Sequence, residues 1–143
     1  MATTKADAHG HVPFWEEPLL GGEYRQASCG GCHLGADVPG APLLAQGRQL
    51  YLQQPCVACH RIRGVGGMVG PDLTFVGGRK HDPEWYLRHF KEPQATVPGS
   101  TMPPFKHLPE AELKALTVYM LSLREMPSAL LPAPRTAAAP GMR

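Results

Sequence analysis

The pattern Cys-x-x-Cys-His occurs twice, as CGGCH at residues 29–33 and as CVACH at residues 56–60. In a helical turn, positions i, i+3 and i+4 share one face, so Cys29, Cys32 and His33 project together, as do Cys56, Cys59 and His60. Two thiols one turn apart suit thioether bonds to the two vinyl groups of one porphyrin, and the adjacent imidazole reaches the iron from the same side. Each motif therefore offers two covalent attachments and one axial ligand, and the chain is expected to carry two covalently bound haem c groups.

Two other readings use the same cysteines. A four-cysteine zinc site would join two CxxC pairs separated by 23 residues, somewhat beyond the usual spacing of about 15–20. Zinc held by four thiolates has no need of the histidine that follows each pair. With 7 histidines in 143 residues, finding one after both pairs by accident has odds of roughly 1 in 400, which favours haem. A thioredoxin-like dithiol wants a βαβ setting, and no alternating apolar run long enough for a confident strand is present.

The hydrophobic share of 43% allows a core, whereas 7% aromatics with 16 glycines and 16 prolines argue for a loop-rich fold. Something other than side chains is expected to help fill the centre. The length suits one compact part of about 80–120 residues with tails. A formal charge of +2 with scattered Lys and Arg leaves no electrostatic footprint for nucleic acid. The N-terminus lacks the apolar core of a secretory signal, and the longest apolar helical run, residues 115–123, is too short to span a bilayer. The expectation is a soluble chain, either cytoplasmic or the processed or trimmed part of an exported protein whose leader is missing.

Residues 1–12 read as a polar tail and 127–143 as a Pro/Ala-rich one. Between them the periodicity predicts three helices and an all-α fold. The first covers 43–54, with Leu44, Gly47 and Tyr51 on one side. The second starts on Asp82-Pro83-Glu84, where Asp can cap and Pro suits the first turn, and runs to about residue 91. The third covers 109–124, with Leu113, Leu116, Met120 and Leu123 forming one buried face. The Gly-rich stretch 64–78 reads as loop.

From Gly47 onward the sequence resembles class I c-type cytochromes. The resemblance rests on GRQLY, CVACH, GPDL at 70–73, STMPPF at 100–105 and the closing LTVYMLSL, in that order. It implies a small cytochrome c-like helical domain at 47–126, wrapped around its haem, whose first and last helices cross closely; Gly47 would face Tyr119 there. It also implies Met102 as the distal ligand of the haem held by His60, on a loop stiffened by Pro98, Pro103 and Pro104. The Pro71 carbonyl would orient the proximal imidazole. A His/Met pair leaves no open position for substrate, so such a centre carries electrons.

Residues 13–46 lie outside the resemblance and read as an N-terminal haem-binding extension packed on the main domain. His33 is its proximal ligand. His11, and next His9, are the leading distal ligands, with Met68 or an open position as alternatives and His81, His89 and His107 also available. Arg79, Lys80 and Trp85 are weaker candidates for propionate contacts, and no set of catalytic residues stands out.

The function expected is that of a dihaem c-type cytochrome passing single electrons from a quinol-oxidising complex or dehydrogenase to a terminal oxidase or reductase. It would act as a free carrier or as a complex subunit; residues 64–79 also look like the c domains attached to haem-copper oxidase subunit II. Partners would dock at the loops of Met68 and Met102. The resemblance implies the bacterial periplasm or the outer face of the cytoplasmic membrane, with membrane association only through a partner or a missing anchor. The alternatives are a small peroxidase-like or sulfur-oxidising dihaem enzyme with an open N-terminal haem, and a zinc-binding interaction module.

Overall fold

The computed structural model describes residues 20–33 and 38–125. Helix α1 (Pro42–Gln53) opens on a proline at its start, where a missing N–H leaves no bond unmade. Its flanking residue Ala41 has no side chain to cap with. That role falls to Gln26, whose Oε1 accepts the N–H groups of Leu43 at 2.7 Å and Leu44 at 3.2 Å. Gln26 belongs to a 3₁₀ helix, Gly22–Gly31, so the segment carrying the first motif also closes the open end of α1.

The next elements are short. α2 (Cys56–Cys59) is a single turn, followed by an antiparallel hairpin of β1 (Arg61–Ile62) and β2 (Val65–Gly66) with Ile62 opposite Val65. α3 (Val76–Arg79) is one more turn. The stretch expected to be loop thus contains β2 and most of α3, both too brief to leave a periodicity in sequence.

α4 (Pro83–Lys91) begins as its cap chemistry predicts: Asp82 Oδ1 accepts the Glu84 N–H at 3.0 Å. α5 (Pro93–Thr96) follows directly. α6 (Glu110–Ser122) closes the described chain and is the centre of the molecule. Among the described residues, no helix is long and apolar enough to cross a membrane.

The single buried face expected for α6 is corrected by the structure. Leu113, Leu116 and Met120 are buried, and so are Ala115, Thr117, Val118, Leu121 and Ser122, which lie around the rest of the helix. The reason is that several elements cross α6 at glycines. A Cβ at Gly47 of α1 would stand 2.0 Å from the Ala115 carbonyl oxygen and 2.9 Å from Tyr119 Cβ. One at Gly30, inside the first motif, would stand 2.2 Å from the Ser122 carbonyl oxygen. Only a missing side chain permits backbones this close. The 3₁₀ helix therefore covers a face of α6 that would otherwise meet water, and Lys114 Nζ adds an exposed ion pair to Glu23 at 3.0 Å. The described residues are mostly helical, with the hairpin as the one small sheet among them.

Candidate haem-attachment sites

The two motifs share one hydrogen bond, although CGGCH stands at the end of a 3₁₀ helix and CVACH is a turn of α-helix. In CVACH the His60 N–H donates to the Cys56 carbonyl at 2.8 Å, and in CGGCH the His33 N–H donates to the Cys29 carbonyl at 2.9 Å. This shared turn closes a helical ring between the first cysteine and the histidine. It gives each motif the i, i+3, i+4 geometry on which its chemistry depends.

At the second motif the imidazole is held from two sides. His60 Nδ1 donates to the Pro71 carbonyl oxygen at 2.8 Å, the partner implied by the resemblance. Gly70 supports the ring from beside it: a Cβ there would lie 2.5 Å from His60 Cε1. The loop bearing Gly70 and Pro71 is itself fastened to α2, since Gly67 N–H donates to the Val57 carbonyl and Gly70 N–H to the Cys59 carbonyl, at 2.9 and 2.8 Å. Tyr51 donates its hydroxyl to the His60 carbonyl at 3.3 Å, with its phenol pushed up to about 12 by burial.

Met102 is half-buried and packs against the core. Its main chain is held at both ends: its N–H donates to Ser100 Oγ at 3.2 Å, and its carbonyl accepts Gln94 Nε2 at 3.1 Å. Gln94 also donates to the Ser100 carbonyl at 3.0 Å. This clamp was not foreseen; a glutamine after the proline that opens α5 carries no signal of a contact eight residues away. At the end of the loop Phe105 is buried, its N–H donating to the Phe90 carbonyl at 2.7 Å.

All four cysteines are free of disulfide. Burial pushes the Cys56 thiol up to about 11 and raises Cys29 as well. Among the described residues, no three His, Cys, Asp or Glu side chains converge to hold a metal ion, as a four-cysteine zinc site would require.

The remaining candidates separate. His9 and His11 lie outside the described residues. Met68 is 77% exposed in the loop fastened to α2 at the second motif. His81 and His107 are exposed. His89 stacks on Trp85 with ring centroids 4.6 Å apart, and burial lowers its pKa. Lys80 Nζ lies 4.7 Å from the Trp85 ring centre, and Arg79 donates to the Asp72 carbonyl at 2.8 Å.

Residues 66–128 match the family described as cytochrome C oxidase, mono-heme subunit/FixO. The chain is also 30% identical over 95 residues to cytochrome c oxidase subunit 2 of Alkalihalophilus pseudofirmus, an alignment covering 62% of this chain and 28% of that protein. Both likenesses are to subunits of cytochrome c oxidase. The family match includes the loops of Pro71 and Met102 and the closing helix, while both Cys-x-x-Cys-His motifs lie outside it.

Proposed function

We propose that the chain is a dihaem c-type cytochrome that passes single electrons toward a terminal oxidase or reductase, as a complex subunit or a free carrier, on the periplasmic side of a bacterial membrane. The observation that carries this reading is the repeated turn, with the histidine N–H bonded to the first cysteine's carbonyl at 2.8 and 2.9 Å in the two motifs. Haem c, when bound, supplies one-electron exchange between ferric and ferrous iron. Cys56 and Cys59 would attach one haem, and Cys29 and Cys32 the other. His60, oriented by Pro71 and Gly70, would present Nε2 to the first, and Met102 would supply its second ligand. His33 would serve the second, opposite an imidazole from His11 or next His9.

The likeness to oxidase subunits supports an oxidase complex as acceptor, and a quinol-oxidising complex or dehydrogenase would supply the electrons. Val65, Met68 and Val69 are 68–77% exposed on the hairpin and loop beside α2, which suits brief apolar contact with a redox partner.

A pyridine haemochrome assay with metal analysis is expected to find two haems and no zinc per chain. Ferric and ferrous spectra should show two low-spin six-coordinate centres, one of them lost in Met102→Ala and the other altered in His11→Ala or His9→Ala. Unchanged coordination in Met102→Ala would overturn the His/Met assignment. A second reading is that the N-terminal haem keeps an open position and acts as a peroxidase-like or sulfur-oxidising centre. A high-spin species that binds CO or peroxide would favour it.

A further inference from the structure

A short run of contacts joins the two Cys-x-x-Cys-His motifs through the protein. Gly30, inside CGGCH, is buried so close to α6 that a Cβ on it would stand 2.2 Å from the Ser122 carbonyl oxygen. Ser122 is tied in turn to Tyr119, its hydroxyl donating to the Tyr119 carbonyl. The Tyr119 ring meets the ring of Tyr51 on α1 edge to face, with centroids 5.6 Å apart and planes at 60°. Tyr51 then donates its hydroxyl to the carbonyl of His60, in CVACH, at 3.3 Å.

Two glycines make this run possible. The missing side chain at Gly30 lets the first motif lie directly on Ser122, and the one at Gly47 lets α1 approach α6 at Ala115 and Tyr119. Tyr51 stands one helical turn beyond Gly47, on the same face, and so is carried against Tyr119. The run is also packed: Tyr51 is 3% exposed and Ser122 4%. Single electrons cross protein by tunnelling, whose rate falls exponentially with distance, and falls faster across a gap than through bonds and packed atoms.

We propose that Tyr119 and Tyr51 form the bridge by which one electron passes between the haem anchored at CGGCH and the haem anchored at CVACH. The inference rests on the dihaem reading of the two motifs. At one end Gly30 follows Cys29 in the chain, one of the two thioether positions; at the other, the carbonyl that Tyr51 meets belongs to His60 itself. In the step, one ferrous iron is oxidised and the other, ferric, is reduced; no proton moves and no bond forms or breaks. The tyrosines stay intact phenols. Burial pushes the Tyr51 hydroxyl up to about 12 and raises that of Tyr119, and the carbonyl facing Tyr51 takes no proton near neutral pH. Both are positioning residues, which set the coupling between the centres.

The test is pulse radiolysis of the fully oxidised holoprotein, following how the captured electron redistributes between the haems. The difference spectrum of each haem comes from the Cys29→Ala/Cys32→Ala and Cys56→Ala/Cys59→Ala variants. Redistribution is expected as a phase independent of protein concentration. Tyr51→Phe keeps the ring and loses the bond to His60, and should slow that phase several-fold; Tyr119→Leu, which removes the ring contact, should slow it as well. Tyr119→Phe, which keeps the ring, should retain the parent rate. Midpoints measured on the same samples by spectroelectrochemistry correct each rate for driving force, a comparison that a merely structural role would leave level. Two haems per chain with an unchanged rate in Tyr51→Phe, or with redistribution only between molecules, would overturn the bridge alone. Tyr51→Phe decides the case even where Tyr119→Leu fails to fold. One haem per chain would overturn the dihaem reading beneath it.

Discussion

The side-chain oxygen of Gln26 accepts the backbone N–H of Leu43 at 2.7 Å, across 17 residues of chain. A helix that lacks a local cap is thereby completed by the segment that carries the first motif. Replacing Gln26 by Ala leaves two N–H groups of α1 without this acceptor and should destabilise the protein by about 1 kcal/mol. Gln26→Glu keeps an acceptor and adds negative charge at the positive end of the helix, so its stability should match or exceed the parent's. Urea unfolding midpoints check both; identical midpoints for the parent and Gln26→Ala would show that the cap contributes nothing.

The crossing of α1 on α6 predicts a sharp contrast between two glycines. Gly47→Ala puts a methyl 2.0 Å from the Ala115 carbonyl oxygen, and overpacking of this kind costs about 1–3 kcal/mol. Gly78→Ala in α3 meets nothing within 4 Å, and should be neutral or stabilising by up to about 1 kcal/mol. Thermal unfolding of the two variants separates the cases, and equal losses would rule out the contact as the cause.

Gly70 bears on the proposed chemistry at His60. In Gly70→Ala the added carbon would lie 2.5 Å from the ring, so the imidazole must turn away from its bond to Pro71. The ferric spectrum of the holoprotein should lose low-spin six-coordinate iron at this centre, whereas Gly78→Ala should leave the spectrum intact. A normal spectrum in Gly70→Ala would show that ring position does not depend on this contact.

Asp72 predicts the acid response of the loop beside the second motif. The N–H and the hydroxyl of Thr74 both donate to Asp72 Oδ1, and these bonds hold its carboxyl below the usual value of 3.8. A carboxylate with a lowered folded pKa stabilises the fold at every pH above its unfolded value; that contribution fades as pH falls through the folded one. Asp72→Asn should therefore be less stable than the parent at pH 7, with the gap closing as pH drops below about 4. Urea midpoints at pH 7 and pH 3 measure the gap, and a constant difference would contradict the linkage.

Much of this architecture is legible locally. Asp82-Pro83-Glu84 announces α4 because a cap is an interaction between residues two or three apart, present wherever they occur. Each Cys-x-x-Cys-His motif likewise carries its own geometry, since one helical turn suffices to align it. The close approach at Gly47 and the bond from Pro71 to His60 were expected only through the resemblance, and the structure contains both.

What lay beyond the sequence shares a physical cause. The Gln26 cap, the Gln94 clamp on Met102, the all-round burial of α6 and the contacts of Tyr51 with Tyr119 and His60 join residues of different elements. No periodicity encodes them, because a contact between distant residues exists only once the intervening backbone has taken its path. The sequence by itself determined α1, α4 and α6 and the two Cys-x-x-Cys-His motifs. The tertiary structure decided that the first motif lies across α6 at Gly30, against Ser122, where a single added methyl would find no room.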